Sequence, residues 1–377
     1  MKALFIIHCQ DPIYGASRSI GNLIRNLDAD VDIIFPVKIK RDGITPEQIA
    51  KYYGSRVKNV WFLPQPERLT ALVGRVPLEK QVKSSVKEIL YLLSRPRYEK
   101  IYRQGNYDFI HLNSATLFPM LTDKWPMFLH VRETFRKKLS FGNCSVVKKM
   151  DKAKGIIFID SSSHASAPST SAPIKILVNP FDQRSVEEVD LAQARKRFSL
   201  SGGETVYGII GNVTRYKGVD RAIKAFQDAD IPDSLFFVVG SLGAKAADKE
   251  FIEQIKAIAT MDHRIRLTDE VEDMEQVYRV MDYVVRCDPV VSLGRTVYEA
   301  LYSGCGVILQ NDGTLQRELP STTSKMQDKV FFYKFGDDNS LVQAFRETKG
   351  KKITQRDYFS NVEQYVDKFK NFVTENI

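Results

Sequence analysis

Cysteine, histidine and long apolar runs are scarce in this chain of 377 residues. The four cysteines and five histidines lie far apart, without the close spacing that a zinc site requires. This scarcity argues against a metal site, and it predicts reduced thiols in a cytosolic protein rather than a disulfide framework. No run approaches the roughly 20 apolar residues of a membrane-spanning helix. The first residues hold one lysine and no small-residue cleavage site, which predicts a buried strand rather than a signal peptide.

Acidic residues are scarce in the first half of the chain. Residues 1–182 contain 28 Lys or Arg and 16 Asp or Glu, whereas residues 183–377 contain 27 and 30. The net charge of +9 therefore belongs to the first half, and a one-sided excess favours an anionic partner. Between Arg75 and Arg103, basic residues alternate with apolar ones. That pattern predicts an amphipathic helix on an anionic membrane surface or, alternatively, a solvated helix face, and no nucleic-acid-binding module accompanies it.

Short apolar runs alternate with amphipathic stretches along both halves, which predicts two doubly wound parallel α/β sheets. The predicted strands are 3–8, 31–35, 57–62, 109–112, 127–130, 155–159 and 174–178, then 206–210, 235–239, 265–267, 283–286, 307–309 and 330–332. The predicted helices are 16–28, 78–103, 115–122, 145–153 and 161–167, then 190–197, 218–229, 246–259, 273–280, 295–303, 338–347 and 354–374. Pro180 ends a strand, and the polar run 183–190 predicts a linker, so we place the domain boundary after Asp182.

The loops that follow strands are the candidate sites, because open α/β sheets bind ligands beyond the carboxyl ends of their strands. The segment 287–309 predicts a loop, a helix and a buried strand. Its candidate ligand-binding residues are Ser292, Gly294, Arg295, Thr296 and Glu299. Backbone N–H groups at such a helix N-terminus suit a phosphate, and a carboxylate in the next turn suits sugar hydroxyls. The alternative is an ordinary loop–helix–strand unit.

Two further loops and one histidine suggest the same chemistry. Gly211 lets the chain turn after a strand, and Arg215 and Lys217 then precede a helix, which suits a diphosphate or, alternatively, a solvated loop. Gly15 follows the first strand and would allow close approach of a helix N-terminus to a ligand, unless Ser17 or Ser19 caps that helix instead. His130 ends a buried strand, where it suits proton chemistry or hydroxyl recognition, unless it is only a buried histidine satisfied by the backbone.

Together these motifs resemble the retaining GT-B glycosyltransferases of family 4, also called group 1. Gly15 matches the family's glycine loop, and His130 matches its strand-end histidine. Lys217 occupies the family's diphosphate-binding lysine position, and Gly294 and Glu299 match the second half of its paired-glutamate motif. The segment 179–182 looks like the family's Asn-Gly-Val-Asp hinge, and the last predicted helix is similar to its C-terminal helix.

The resemblance implies two Rossmann-like domains that face each other across a cleft. Residues 1–182 would bind the acceptor, residues 183–353 would bind the nucleotide-sugar, and residues 354–377 would cross back to the first domain. The implied reaction moves a sugar from a nucleotide-diphosphate donor to a glycan or lipid-linked acceptor, with retention and without metal or other cofactor. The implied catalytic residues are His130, Arg215 and Lys217, and the implied donor-binding residues are Gly15, Gly211, Ser292, Gly294, Arg295, Thr296 and Glu299. The implied process is the synthesis of a cell-surface polysaccharide or a lipid-linked glycan at the inner face of the membrane.

Two positions depart from the family pattern. The first glutamate of the pair falls at Val291, and the loop arginine falls at Asn212. These departures leave two alternatives open. One is a GT-B-like subunit that binds a nucleotide-sugar without catalysis, and the other is a nucleotide-sugar epimerase on the same architecture.

Overall fold

The computed structural model describes residues 1–9, 16–67, 78–135, 142–242, 249–288, 293–311 and 328–377. These residues form two compact units. The first unit contains Met1–Pro180 and Asn361–Ile377, and the second contains Phe181–Ser360. Each unit is built on its own parallel sheet with helices, so the predicted α/β class is confirmed.

The first unit holds a seven-stranded sheet in the order β3-β2-β1-β4-β5-β6-β7. Its strands are β1 Lys2–Ile6, β2 Asp30–Pro36, β3 Val57–Leu63, β4 Phe109–Leu112, β5 Met127–Val131, β6 Gly155–Phe158 and β7 Ile174–Ile176. The central strands are nearly continuous apolar runs because helices cover both faces of a parallel sheet. All seven predicted strands are confirmed, with ends shifted by one or two residues.

The helices of the first unit are α1 Ala16–Asn26, α2 Val37–Arg41, α3 Pro46–Tyr53, α4 Leu78–Gly105, α5 Gly142–Met150, α6 Ser161–Ser166 and, from the C-terminal end of the chain, α14 Val362–Glu375. The sequence missed α2 and α3. It also predicted an α-helix over 115–122, where the structure has a 3₁₀ helix at Ala115–Met120. Pro119 lies inside that segment and cannot donate the backbone hydrogen bond that an α-helix needs.

The last helix packs on the core of the first unit, as the resemblance implied. Phe369 contacts Phe109 with ring centroids 5.8 Å apart, and Phe372 lies 6.1 Å from Phe128. The prediction that this helix begins at residue 354 is wrong, because it begins at Val362. The residues before it belong to the second unit, where Phe359 N donates to Tyr302 O at 2.8 Å.

The second unit holds a six-stranded parallel sheet in the order β10-β9-β8-β11-β12-β13. Its strands are β8 Thr205–Ile210, β9 Ser234–Val239, β10 Ile265–Thr268, β11 Tyr283–Arg286, β12 Gly306–Asn311 and β13 Val330–Lys334. Its helices are α7 Arg184–Glu187, α8 Leu191–Arg197, α9 Val219–Ala229, α10 Lys249–Met261, α11 Met274–Val280, α12 Gly294–Tyr302 and α13 Asp338–Glu347. The predicted linker at 183–190 contains α7 instead, because Val186 is fully buried and anchors that turn.

Each sheet has one place where successive connections run in opposite directions. In the first sheet this switch point lies between β1 and β4, and in the second it lies between β8 and β11. Ligands of doubly wound sheets bind at the carboxyl ends of the strands that flank this point. The topology therefore selects the loops after β1, β4, β8 and β11. Among the helices within the described ranges, none is long and apolar enough to cross a membrane.

Candidate functional site

The loops after β8 and β11 meet at the switch point of the second sheet. Gly218 ends the first loop with a φ of 64°, and a Cβ at this position would lie 2.6 Å from the carbonyl oxygen of Cys287. Only glycine allows both this backbone conformation and this close approach. The contact brings Lys217, at the end of one loop, beside Asp288, at the start of the other.

Two cations converge on one carboxylate oxygen at this point. Lys217 Nζ lies 2.8 Å from Asp288 Oδ2, and Arg286 Nη2 lies 3.0 Å from the same atom. Gln310 donates to the backbone oxygen of Asp288, which helps to fix the backbone that carries this carboxylate. The three charged groups carry a net charge of +1, and the Lys217 side chain remains 35% exposed. The cluster therefore keeps positive charge available to an anion at the carboxyl ends of β8 and β11.

Arg286 also fixes the start of α12. Its Nη1 donates to the carbonyl oxygen of Leu293 at 2.7 Å. Gly294 has a φ of 64°, and a Cβ there would lie 1.4 Å from the same nitrogen. Glycine is thus required for the guanidinium to pack against the helix N-terminus. The sequence analysis missed Arg286, although an arginine at the end of an apolar strand was the available signal.

Glu299 lies one turn into α12 and is buried. Tyr278 Oη donates to its Oε2 at 2.9 Å, and Arg295 Nε lies 2.8 Å from its Oε1. Burial, followed by the charge of Glu299, raises the pKa of Tyr278 well above its usual value. The tyrosine therefore stays protonated as the donor. Arg295 also lies over the ring of Phe181, 5.3 Å from its centroid, and this packing holds the carboxylate in one orientation.

The remaining predicted donor-site residues are placed as follows. Gly211 follows β8 with a φ of 135°, and Thr296 lies partly exposed in the first turn of α12. Arg215 packs on α10, where its Nη2 donates to Gln254 Oε1 at 2.8 Å and its guanidinium lies 4.9 Å from the ring centroid of Phe251. Gly15 and Ser292 lie outside the described residues, as does Val291.

In the first sheet, a pair of buried histidines lies near the carboxyl ends of β4 and β5. His111 in β4 and His130 in β5 are both fully buried, with His111 Nε2 3.2 Å from His130 Nδ1. Burial, and next the charge of Arg132, lowers the pKa of His111 to about 3. The same two causes lower the pKa of His130 well below its usual value. Both imidazoles are therefore neutral near pH 7, and His111 is a partner that the sequence analysis did not identify.

The loop after β5 is held by polar contacts to the loop after β4. Arg132 Nε donates to Asn113 Oδ1 at 2.7 Å, and its Nη1 donates to Asn179 Oδ1 at 2.6 Å. Glu133 accepts from Ser114 and from the backbone N–H of Ala115 at 2.8 Å. These contacts fix both loops beside the histidine pair.

Hydrogen-bonding capacity remains at the histidine pair. Considering only the parts of the chain described, the buried Nε2 of His130 and Nδ2 of Asn113 have no hydrogen-bond partner. Within the same ranges, no group of three or more His, Cys, Asp or Glu side chains is placed to hold a metal ion. The site in the first unit thus offers neutral polar groups that can form hydrogen bonds.

Comparison with known proteins identifies the architecture. Residues 192–361 match the model of a family described as glycosyl transferases group 1. Anabaena Alr3699/HepE in complex with UDP has a TM-score of 0.72 at 16% identity, with 100% of both chains covered. Sucrose-phosphate synthase from Thermosynechococcus elongatus has a TM-score of 0.65 at 15% identity, covering 99% of this chain and 96% of its own. A Rickettsia africae glycosyltransferase has a TM-score of 0.69 at 12% identity, covering 100% and 93%. No curated protein matches the chain. The fold is therefore that of the GT-B glycosyltransferases.

Proposed function

We propose that this chain is a glycosyltransferase that uses a nucleotide-diphosphate sugar as its donor. The observation that carries the proposal is the convergence of Lys217 and Arg286 on Asp288 at the switch point of the second sheet. The GT-B fold supports it, as does the group 1 family match, which covers the same unit. The Anabaena protein of similar fold has been solved with UDP-glucose, so a uridine nucleotide is the first donor to test.

The second unit would stabilise the departing nucleotide diphosphate. Lys217 and Arg286 supply positive charge, and the N-terminus of α12 at Gly294 supplies oriented N–H groups. Fixed charges of this kind lower the barrier because they are already in place when negative charge develops on the leaving group. Glu299, held by Tyr278 and Arg295, would accept hydrogen bonds from the ribose hydroxyls.

We propose the family 4 reaction course, with retention at the anomeric carbon and no metal ion. A donor phosphate oxygen would take the proton of the acceptor hydroxyl, which then bonds to the anomeric carbon as the nucleotide diphosphate leaves. No protein base is needed for this step. The proposal rests on the motif positions of Lys217, Gly294 and Glu299.

The first unit would bind the acceptor. His130 is neutral, and its Nε2 can donate to or accept from a hydroxyl group. The basic excess of residues 1–182 favours an anionic or lipid-diphosphate acceptor at the inner membrane face. Synthesis of a cell-surface polysaccharide or a lipid-linked glycan is the process that fits such an acceptor.

Replacement of Lys217 tests the donor site. We expect Lys217→Ala to lower sugar transfer and UDP affinity at least tenfold, roughly the 1.4 kcal/mol of one charge-assisted contact. Lys224→Ala is the matched control, because Lys224 lies on the surface of neighbouring α9 and pairs with Asp228. Affinity is measured by calorimetry, after a thermal-shift screen of uridine, guanosine and adenosine diphosphates. Equal affinity and activity in both variants would exclude Lys217 from diphosphate binding.

Two other functions remain distinguishable by product analysis. The departures at Val291 and Asn212 favour, as a second candidate, a nucleotide-sugar-binding subunit without catalysis. That candidate predicts UDP-sugar binding with no turnover in the presence of lipid or glycan acceptors. An epimerase would instead convert the sugar of the free donor when no acceptor is present, which proton NMR of the donor detects.

A further inference from the structure

One helix carries half of the large apolar side chains that the described residues expose to solvent. Seven of the fourteen such residues lie on α4. They are Leu78, Val82, Val86, Ile89, Leu90, Leu92 and Leu93. Scattered exposed apolar residues are normal on a protein surface, but a cluster of this size on one element indicates a binding surface.

The exposed side chains form a stripe opposite the buried face of α4. Tyr91, Tyr98 and Tyr102 are buried on the inner face, where Tyr98 Oη donates to Pro64 O at 3.0 Å. At about 100° per residue, residues 82, 86, 89 and 93 project from the opposite side. Ile89 is 57% exposed and Leu93 is 73% exposed. The inner side alone accounts for the packing of the helix, and the exposed stripe from Val82 to Leu93 takes no part in it.

The outer face becomes basic after the apolar stripe ends. Arg97, Lys100 and Arg103 continue the same side of the helix at the same angular spacing. The whole of α4 contains seven Lys or Arg and three Glu. An apolar stripe beside a cluster of positive charge is the pattern of helices that lie in the plane of an anionic membrane.

We propose that the outer face of α4 binds the surface of an anionic lipid bilayer. Val82, Val86, Ile89 and Leu93 insert below the headgroups, and Arg97, Lys100 and Arg103 bind the lipid phosphates. The inference rests on the membrane contact included in the proposed function and assigns that contact to one surface. It differs from a purely electrostatic contact because part of the binding survives high salt.

Charge selects the bilayer over a second copy of this chain. A dimer formed through the stripe would bring two helices together, each with four more basic than acidic residues. Like charges at such an interface repel. An anionic bilayer accommodates both the apolar stripe and the basic end without that penalty.

Vesicle flotation tests the surface. We expect the protein to float with vesicles of phosphatidylcholine and phosphatidylglycerol, and much less with phosphatidylcholine alone. The double variant with Ile89→Asp and Leu93→Asp should lower the membrane partition coefficient at least tenfold. Both side chains are exposed, so the fold should persist. Met261→Asp is the matched control, because Met261 is 90% exposed but lies in the second unit.

A double charge-reversal variant distinguishes the contribution of the basic end of α4 from that of its apolar stripe. The double variant with Arg97→Glu and Lys100→Glu should reduce binding only to the vesicles that contain phosphatidylglycerol. Its control carries Lys196→Glu and Lys349→Glu, two exposed positions of the second unit. In high salt, wild-type binding should weaken without disappearing, whereas binding of the stripe variant should disappear.

Two results would overturn the proposal. One is flotation of the stripe variant equal to that of the wild type. The other is a wild-type dimer in sedimentation that becomes monomeric with Ile89→Asp and Leu93→Asp, with no flotation of either protein, since a second copy would then cover the stripe. UDP affinity is measured for every variant and should be unchanged. A wild-type protein that does not bind UDP would count against the proposed function and not against this surface.

Discussion

The two sheets share one connection pattern and differ in the groups that they place at or next to its switch point. In the second unit, the charged groups are Lys217, on the loop after β8, and Arg286, at the end of β11, and the Lys217 side chain is 35% exposed. In the first unit, His111 and His130 are fully buried and neutral. Topology therefore predicts where each unit would bind a ligand, whereas the solvation of the side chains predicts which kind of ligand it would bind.

This difference follows from the cost of burying charge. A cation that keeps contact with water, or that pairs with a carboxylate such as Asp288, avoids the cost of buried unpaired charge and can attract phosphate. An imidazole removed from water loses its proton instead, since burial stabilises the neutral form. The second unit suits a diphosphate, and the first suits an uncharged hydroxyl. The following predictions test this contrast.

The largest effect is expected at Gly294. Gly294→Ala should weaken UDP binding roughly hundredfold, about 2.7 kcal/mol, because the new methyl group displaces the Arg286 guanidinium. Calorimetry measures the affinity. Gly336→Ala is the control, because Gly336 has a similar φ of 73° with no atom within 4 Å of the added carbon. Equal weakening in both variants would assign the loss to backbone strain, and unchanged binding in Gly294→Ala would mean that the position of Arg286 does not matter for UDP binding.

A smaller effect is expected in the pH dependence of the first unit. The unfolded chain binds protons below about pH 6.5 at each histidine, whereas folded His111 binds one only near pH 3. Stability should therefore be complete above pH 6.5 and fall as the pH decreases towards 3. Between pH 7 and pH 5 the loss that arises from His111 should reach about 2 kcal/mol. His111→Asn should reduce this loss.

Tryptophan fluorescence during urea unfolding measures that stability selectively. The chain has two tryptophans, and both Trp61 and Trp125 lie in the first unit. His263→Asn is the control, because His263 is exposed in the second unit. If the wild type unfolds at the same urea concentration at pH 5 and at pH 7, the histidines are not neutral and buried as described.

The smallest effect is expected at Asp288. Asp288→Asn should tighten UDP binding about fivefold, roughly 1 kcal/mol, because a negative charge beside Lys217 and Arg286 is removed. The gain should shrink as salt is added. Asp228→Asn, on the surface of α9, should leave affinity unchanged. Weaker binding in Asp288→Asn would show that the carboxylate is needed to position the two cations.

The sequence predicted the elements well and the contacts between them poorly. All thirteen strands were predicted, most of them because buried strands are apolar runs. Lys217, Gly294 and Glu299 were proposed as site residues from motifs and their spacing along the chain. His111 and Arg286 were missed because their partners come from other strands or loops, which spacing does not reveal. The start of α14 was missed for a related reason: Phe359 is held by a backbone bond to Tyr302, far away in sequence.

The inclusion of α14 in the first unit has a consequence for synthesis. Tyr365, Phe369 and Phe372 belong to the same core cluster as Phe5 and Phe109. On a ribosome, the first 180 residues emerge long before these three aromatic residues have been synthesised. The first unit must therefore wait, with part of its core uncovered, while the second unit is synthesised. Chaperone dependence should therefore be concentrated in the half of the protein that is translated first.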